Sequence, residues 1–164
     1  MHVHPPIVTA VAVGIVLALD RFVPQLSVFF PGQRLLGGAI AVSGVLLVLW
    51  AIGQFRRTGT TVLPDRLDER KVDMTALLQS GPFGYSRNPI YLGMALLVTG
   101  AGLGVGSLAA PFVLAGFVWF IQTRQIVPEE RILAERFGED YARYAAHVNR
   151  WFGRRRQRID ATPA

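Results

Sequence analysis

The sequence predicts an all-α integral membrane protein with about four transmembrane helices, including a C-terminal helical hairpin, and with cytoplasmic amphipathic helices. Of its 164 residues, 51% are hydrophobic, and they cluster into long uncharged runs, which is typical of membrane spans. One of these runs is too long for a single span, and the basic residues are distributed unevenly between the loops. We expect residues 1–164 to form a single membrane domain.

The first predicted span is Pro5–Phe22, although its uninterrupted apolar part is short. That part, residues 7–19, would form about 20 Å of helix. It can cross a bilayer only if Asp20 and Arg21 snorkel to the interface. No Lys or Arg precedes it and no small-residue cleavage signal follows, so we interpret it as a retained span and not as a signal peptide.

The second span and a hairpin follow from the lengths of the next two uncharged runs. Residues 35–55 would form about 32 Å of helix, which matches a hydrocarbon core of about 30 Å, so residues 5–55 should carry the first two spans. Residues 90–123 would reach about 51 Å as one helix and must therefore fold back. We expect the reversal at four closely spaced glycines, which weaken a helix and supply positive φ: Gly100, Gly102, Gly104 and Gly106. The spacing of this run is not that of a dinucleotide-binding loop.

The basic residues predict the orientation. In a four-span topology, 15 of the 17 Lys and Arg lie on the side that holds both termini and the loop at residues 54–88, and only Arg21 and Arg34 lie opposite. The positive-inside rule makes the shared side cytoplasmic. Together with anionic lipid at the arginines of residues 154–158, this topology accounts for the formal net charge of +6, so we expect membrane lipid and no nucleic acid as a partner. The chain has no Cys and only three scattered His, and we expect no metal site.

The first polar stretch with candidate functional residues is residues 81–91, Gly-Pro-Phe-Gly-Tyr-Ser-Arg-Asn-Pro-Ile-Tyr. Asn88 before Pro89 fits a helix start, since Asn caps well and Pro is favoured at the first helical position. A cap does not require the neighbouring Arg87 or three aromatic residues, which an interfacial aromatic belt explains only in part. Those aromatic residues are Phe83, Tyr85 and Tyr91.

The second stretch, residues 128–148, begins Pro-Glu-Glu and carries one apolar stripe at helical spacing. Such a stripe lies in the interface or packs on the membrane bundle, and Gly138 is expected to break the helix. The simple interpretation of Glu129 and Glu130 is that acidic residues favour the first turn of a helix beginning at Pro128. The stripe consists of Ile132, Leu133, Phe137, Tyr141, Tyr144, Ala145 and Val148.

The order of these motifs resembles the isoprenylcysteine carboxyl methyltransferase family and its phospholipid methyltransferase relatives. Gly-Pro-Phe and Arg-Asn-Pro-x-Tyr precede an apolar hairpin, and Glu-Glu-x-x-Leu and Phe-Gly-x-x-Tyr-x-x-Tyr follow it, over about residues 81–151. Many members of the former family have His where Asn88 stands, whereas the phospholipid relatives also have Asn-Pro. Residues 58–61, Thr-Gly-Thr-Thr, resemble a recurrent loop of bacterial members.

The resemblance implies a cofactor-binding methyltransferase core at residues 81–151, with S-adenosyl-L-methionine held between the hairpin and the cytoplasmic helices. Carried over by position, the cofactor residues are Phe83, Gly84, Tyr85, Ser86, Asn88, Pro89 and Tyr91, with Glu129, Glu130, Tyr141 and Tyr144 closing the pocket. The aromatic rings suit a sulfonium, and paired charges suit an amino-acid head group. Arg87 or Arg150 could hold the carboxylate of that head group, and Glu129 or Glu130 its ammonium or the substrate.

The expected reaction is methyl transfer to a lipophilic or small acceptor, such as an isoprenylcysteine-like carboxylate, a phospholipid amine, a thiol or a phenol. For the chemistry itself the candidates are Glu129 and Arg124, an ionisable residue near the end of the fourth span. A snorkelling Arg at the membrane edge is the other interpretation of Arg124. Two alternative functions are a non-catalytic lipid-binding or scaffold relative and a membrane reductase of the sterol type.

Overall fold

The structure, a computed structural model, describes residues 4–57 and 77–154. In that part of the chain the regular elements are helical, as predicted, and β-structure is limited to two isolated bridges. The five α-helices are α1 (Pro5–Phe22), α2 (Gln33–Arg57), α3 (Pro89–Val105), α4 (Ala110–Ile121) and α5 (Val127–His147), with short 3-10 helices at Pro24–Leu26 and Gly81–Gly84 and a π-helical segment at Gln122–Ile126. The predicted loop at residues 58–61 lies outside the described residues.

The apolar helices are those of an integral membrane protein. Three are long and apolar enough to cross a bilayer, namely α1, α2 and the continuous helix Ala110–His147, and α3 is a shorter apolar helix of 17 residues. Only the apolar first part of Ala110–His147 serves as a span, since charged residues recur throughout α5. The predicted spans therefore match the observed helices to within a few residues.

α2 and α3 are antiparallel and pack with their backbones in close contact. A Cβ atom on Gly44 would lie 2.6 Å from the carbonyl oxygen of Gly93, and one on Gly100 would lie 2.6 Å from the carbonyl oxygen of Gly37. No side chain fits at these contacts, so the glycines allow the two helices to approach closely, as small residues do in membrane bundles. This α2–α3 seam consists of Gly37, Ala41 and Gly44 on α2 and Gly93, Gly100 and Gly104 on α3.

The reversal between α3 and α4 occurs at the end of the glycine run. Gly106 has φ 72°, and its N–H donates to the carbonyl oxygen of Leu103 at 3.0 Å, which ends α3. The expectation that all four glycines mark the turn is wrong for the other three. Gly100, Gly102 and Gly104 are helical residues of α3, and Gly100 serves the seam instead.

Contacts between the helix ends define two faces of the bundle. The main core lies between α1, α3 and α4, where Val98, Phe117 and Ile121 are buried together. The loop after α1 joins the α3–α4 turn, since the N–H of Val28 donates to the carbonyl oxygen of Gly106 at 2.8 Å. We call this end the far face, and the opposite end, where α2 ends and α3 begins, the site face.

The polypeptide passes from α4 to α5 without a break. The π-helical segment Gln122–Ile126 connects them, and Ile126 itself has helical φ and ψ. α5 therefore has no free N-terminus, so the interpretation of Glu129 and Glu130 as first-turn acids of a new helix is wrong. The predicted break at Gly138 is confirmed, because its φ of 51° and ψ of −120° interrupt α5.

Candidate functional site

The C-terminal strap, residues 148–154, runs beside the polar stretch before α3. The N–H of Arg87 donates to the carbonyl oxygen of Asn149 at 3.0 Å, and the N–H of Gly153 donates to that of Tyr85 at 2.8 Å. The hydroxyl of Ser86 donates to the carbonyl oxygen of Arg150 at 3.4 Å. These bonds bring segments that are about 60 residues apart in sequence to one place on the site face.

The carboxylate of Glu130 lies at the centre of the site. It accepts hydrogen bonds from Nε and Nη2 of Arg150 at 3.1 and 2.7 Å, and it pairs with Nη2 of Arg87 at 3.2 Å. Nδ2 of Asn88 lies 3.5 Å away and also donates to the carbonyl oxygen of Arg150 at 3.2 Å. The side chains of Glu130 and Arg87 are only 12% and 10% exposed, and the bond to Glu130 raises the pKa of Arg150.

The side chain of Asn88 therefore binds the Glu130 carboxylate and does not cap α3. Asn88 is the residue before the helix, as predicted, but its side chain makes no capping hydrogen bond. Pro89 is the buried first residue of α3. The sequence motif thus places an amide beside a carboxylate.

Glu129 has a different environment from Glu130. The hydroxyl of Tyr91 donates to Oε1 of Glu129 at 2.5 Å. None of the ion pairs in the described part of the chain includes Glu129. Glu129 lies in α5, outside the span, where burial raises its pKa to about 7, the Tyr91 bond lowers it and the charge of Glu130 raises it. Glu129 is therefore a half-buried acid whose carboxylate is paired with no cation among residues 4–57 and 77–154.

Tyr141 and Tyr144 form an aromatic wall next to the ion pairs. Their ring centroids are 6.3 Å apart in an edge-to-face arrangement. The hydroxyl of Tyr141 accepts from Nη1 of Arg87 at 3.4 Å, and that of Tyr144 donates to the carbonyl oxygen of Phe83 at 2.7 Å. Burial raises the pKa of both tyrosines, which therefore stay neutral hydrogen-bonding groups.

Phe83 anchors the polar stretch to the end of α2. Its ring packs edge-on against Phe55 with centroids 5.2 Å apart, and its side chain is buried. Ser86 is buried as well, and its hydroxyl accepts the N–H of Asn88 at 3.1 Å. These two residues hold the backbone of the polar stretch before α3 in position. Neither side chain makes a hydrogen bond to Glu129 or Glu130.

Two predicted residues lie away from the Glu130 cluster. Tyr85 is 55% exposed and stacks under the guanidinium of Arg154, whose Cζ is 5.3 Å from the ring centroid. Arg124 is exposed on the π-helical segment, and no hydrogen bond or ion pair of the described residues joins it to the cluster. Both assignments stay predictions.

The strap adds two contacts that sequence reasoning missed. Nε1 of Trp151 donates to Oε1 of Gln122 at 3.0 Å, which ties the strap to the π-helical segment. Nε of Arg154 donates to the carbonyl oxygen of Gly84 at 3.1 Å, although we expected Arg154 to serve anionic lipid. The sequence of residues 150–154, Arg-Trp-Phe-Gly-Arg, does not by itself indicate these contacts.

A polar surface groove of about 570 Å³ lies beside the ion-pair cluster. Tyr144 borders this groove and also contacts Tyr141 in the wall of the cluster. The volume is within the range of about 300 to 1,000 Å³ that small-molecule sites occupy. The groove is lined by Gln79, Gly84, Asp140, Arg143, Tyr144, His147, Val148 and Arg154.

A comparison with protein-family models supports the fold and the motif order. A model described as phospholipid methyltransferase matches residues 33–140, about two thirds of the chain. The match covers α2, α3, α4 and the first two thirds of α5, and it ends just before Tyr141 and the strap. Neither the curated proteins nor the solved structures gave a significant match.

Proposed function

The chain belongs to the phospholipid methyltransferase family, and from this premise we propose that it is a membrane methyltransferase that uses S-adenosyl-L-methionine and accepts a lipophilic amine. The observation that carries the proposal is the pair of adjacent carboxylates on the site face. One of them, Glu130, is held by Arg87 and Arg150, and the other, Glu129, has no cation beside it among the described residues.

The Glu130 cluster suits the amino-acid end of the cofactor. That end carries an ammonium and a carboxylate, which require an acid and at least one guanidinium at close range. Glu130, Arg87 and Arg150 supply this combination, and Nε of Arg87 is buried without a hydrogen-bond partner among the described residues. An unpaired buried donor is costly, so a ligand carboxylate that satisfies it would be favoured.

The aromatic wall and the groove suit the rest of the cofactor. S-adenosyl-L-methionine supplies a methyl group on a sulfonium cation, and a cation is attracted to the face of an aromatic ring. Both rings are buried, and the guanidinium of Arg87 lies 5.9 Å from the ring centroid of Tyr141, so the cofactor would reach this wall through Tyr144, which borders the adjoining groove. The volume of that groove is sufficient for a nucleoside. Phe83 and the strap hold this wall in place, which favours an ordered reaction geometry.

Glu129 supports an amine as the acceptor. An unbalanced carboxylate attracts an ammonium group and repels a carboxylate, so it selects against a carboxylate acceptor. An amine must lose its proton before its lone pair can attack, and Glu129, with its pKa raised to about 7, is suited to accept that proton near neutral pH. The hydroxyl of Tyr91 fixes one oxygen of Glu129 and leaves the other for the acceptor. Arg124 is not required in this arrangement.

The test is cofactor binding by the purified protein in detergent. We expect Glu130→Gln to weaken binding of S-adenosyl-L-methionine about tenfold or more, since a charge-assisted hydrogen bond is worth about 1.5 to 3 kcal/mol. Glu139→Gln, an exposed acid on the same helix, should bind like wild type. The assignment of the cofactor to this cluster fails if Glu130→Gln binds normally, and a wild-type protein that binds no cofactor would favour the non-catalytic scaffold.

The acceptor class has its own assay. With cofactor bound, the protein should methylate lipids that have a primary amine in the head group. It should not methylate lipids that have a terminal carboxylate instead. Transfer to the carboxylate lipids alone would leave the methyltransferase assignment intact and overturn the choice of an amine.

A further inference from the structure

The C-terminal strap contacts two parts of the molecule that are far apart in sequence. Its backbone pairs with the polar stretch before α3. The neighbouring side chains of Arg150 and Trp151 instead contact the long helix that α4 and α5 form together, where their partners are Glu130 and Gln122. The family match ends before the strap, so that match assigns these contacts no role.

The π-helical segment affects which sides of the long helix Gln122 and Glu130 occupy. In a regular α-helix, two side chains that are eight residues apart, as these two are, point about 80° away from each other. Here the N–H of Val127 donates to the carbonyl oxygen of Gln122, five residues earlier, so this turn is wider and rotates less per residue. The smaller rotation reduces the offset, and both side chains face the strap.

Pro128 gives this wider turn a cause in the sequence. A proline has no N–H, and its ring clashes with the carbonyl group four residues earlier, which here belongs to Arg124. A regular α-helical ladder therefore cannot continue unchanged through this position. The π-helical segment lies directly before Pro128, which indicates that the proline induces it.

Trp151 is suited to hold the strap on the long helix. Its Nε1 donates to Oε1 of Gln122 at 3.0 Å, and its partly buried ring packs against the apolar core that includes Ile126. The next residue towards the N-terminus is Arg150, whose Nη2 lies 2.7 Å from Oε2 of Glu130. A displacement of Trp151 would therefore move the guanidinium of Arg150 away from the carboxylate.

We propose that Trp151 and Gln122 are positioning residues, which hold the strap so that the guanidinium of Arg150 stays on the carboxylate of Glu130. They act through Arg150 and not by contact with the cofactor. This inference rests on the proposed function in one respect, namely that the Glu130 cluster binds the amino-acid end of the cofactor. A ligand without that end should therefore bind independently of Trp151.

Two ligands separate these effects in purified protein in detergent. S-adenosyl-L-homocysteine has the amino-acid end, and methylthioadenosine is a nucleoside thioether without it. We expect Trp151→Phe, which loses the indole N–H, to weaken binding of S-adenosyl-L-homocysteine about fivefold, the usual effect of one hydrogen bond, and to leave binding of methylthioadenosine unchanged. Gln122→Leu breaks the same bond from the other side and should have the same effect.

Trp119→Phe is the matched control, because it makes the same substitution at a position of α4 that is 66% exposed. It should bind both ligands like wild type. An equal loss of both ligands in Trp151→Phe would show that Trp151 supports the fold in general, and normal binding of both would show that its hydrogen bond positions nothing. Either result would overturn the proposal.

Thermal unfolding without ligand tests the same link independently of the proposed function. Trp151→Phe should lower the Tm of the wild-type protein, but it should lower the Tm of Arg150→Gln by less than about half as much, because the guanidinium that it positions is then absent. Equal losses in the two backgrounds would contradict the proposal. A wild-type protein that binds neither ligand would count against the proposed function, and this comparison of Tm values would still decide the role of Trp151.

Discussion

Glu129 and Glu130 are adjacent in sequence but differ in the groups that surround their carboxylates. Glu130 is shared by two guanidinium groups and an amide, whereas Glu129 receives one hydroxyl. Removing one member of a buried ion pair leaves its partner unpaired, which typically costs about 3 to 5 kcal/mol. Glu130 is therefore a structural member of the cluster as well as a candidate ligand, and Glu129 is the one whose charge is available.

Because burial raises the pKa of Glu129, we predict that the stability of the folded protein depends on pH. Glu has a pKa of about 4.3 in an unfolded chain, whereas burial raises that of Glu129 to about 7. The folded protein thus binds this proton more tightly, so the stability associated with it is fully present below about pH 4 and is lost as pH rises toward 7. Glu129→Gln cannot ionise, and we expect its Tm in detergent to gain on that of wild type between pH 5 and pH 8.

Glu139→Gln is the control for this measurement, because Glu139 is exposed on the same helix. Its Tm should follow that of wild type across the whole range. A Tm difference between wild type and Glu129→Gln that stays constant with pH would contradict the raised pKa.

Sequence reasoning predicted that the stretch before α3 and the tyrosines of α5 would share one side of the membrane, and the structure brings them into contact. The hydrogen-bond partners of the individual side chains were harder to predict. Asn88 before Pro89 fits a helix cap as well as it fits a partner for a carboxylate, and the choice depends on Glu130, 42 residues later in the chain. Arg150 and Trp151 were equally hard to assign, because their contacts arise only when the strap folds back.

At the scale of elements, the uncharged runs predicted the spans well, since a spanning helix must be long enough to cross the hydrocarbon core. The glycine run was less informative. A glycine that permits a turn and a glycine that permits close helix packing look alike in a sequence, and only the partner helix distinguishes them. Gly106 makes the turn, whereas Gly100 meets Gly37 across the α2–α3 seam.

The seam predicts opposite effects for two neighbouring glycines. A Cβ on Gly37 would lie 2.5 Å from the backbone nitrogen and 2.7 Å from the Cα of Gly104, so Gly37→Ala must push the helices apart. A Cβ on Gly38 would meet no atom within 4 Å. Gly38→Ala should therefore leave the Tm unchanged or raise it, since Ala is favoured over Gly by about 1 kcal/mol in a helix. We expect Gly37→Ala to lower the Tm by several degrees, as measured by thermal unfolding in detergent.

This comparison separates packing from helix propensity, because the two variants gain the same methyl group in the same helix. Equal stability of the two alanine variants would mean that α2 and α3 do not approach as closely as the seam requires. A larger loss in Gly38→Ala would contradict the seam directly.

For the whole molecule, the two faces have unlike chemistry. The site face carries the ion-pair cluster, the tyrosine wall and the strap, and the far face exposes large apolar side chains such as Phe22 and Phe112. A bundle of this kind gathers its polar chemistry at one end. The same division agrees with the uneven distribution of basic residues, because Arg21 and Arg34 are the ones on the far face among the Lys and Arg that the structure describes.

The orientation of these faces is the last prediction. The N-terminal end of α1, the C-terminal end of α2 and the strap lie on the site face, and the positive-inside rule assigns that face to the cytoplasm. A reporter that is active only in the cytoplasm should be active when fused after Ala164 of the full chain. The same reporter fused after Gln33 of a truncated chain should be inactive, because α1 would carry it to the far side. A reporter active only outside the cytoplasm should give the opposite pattern. If both fusions report the same side, α1 does not cross the membrane, since the junction after Gln33 then lies on the side of the site face.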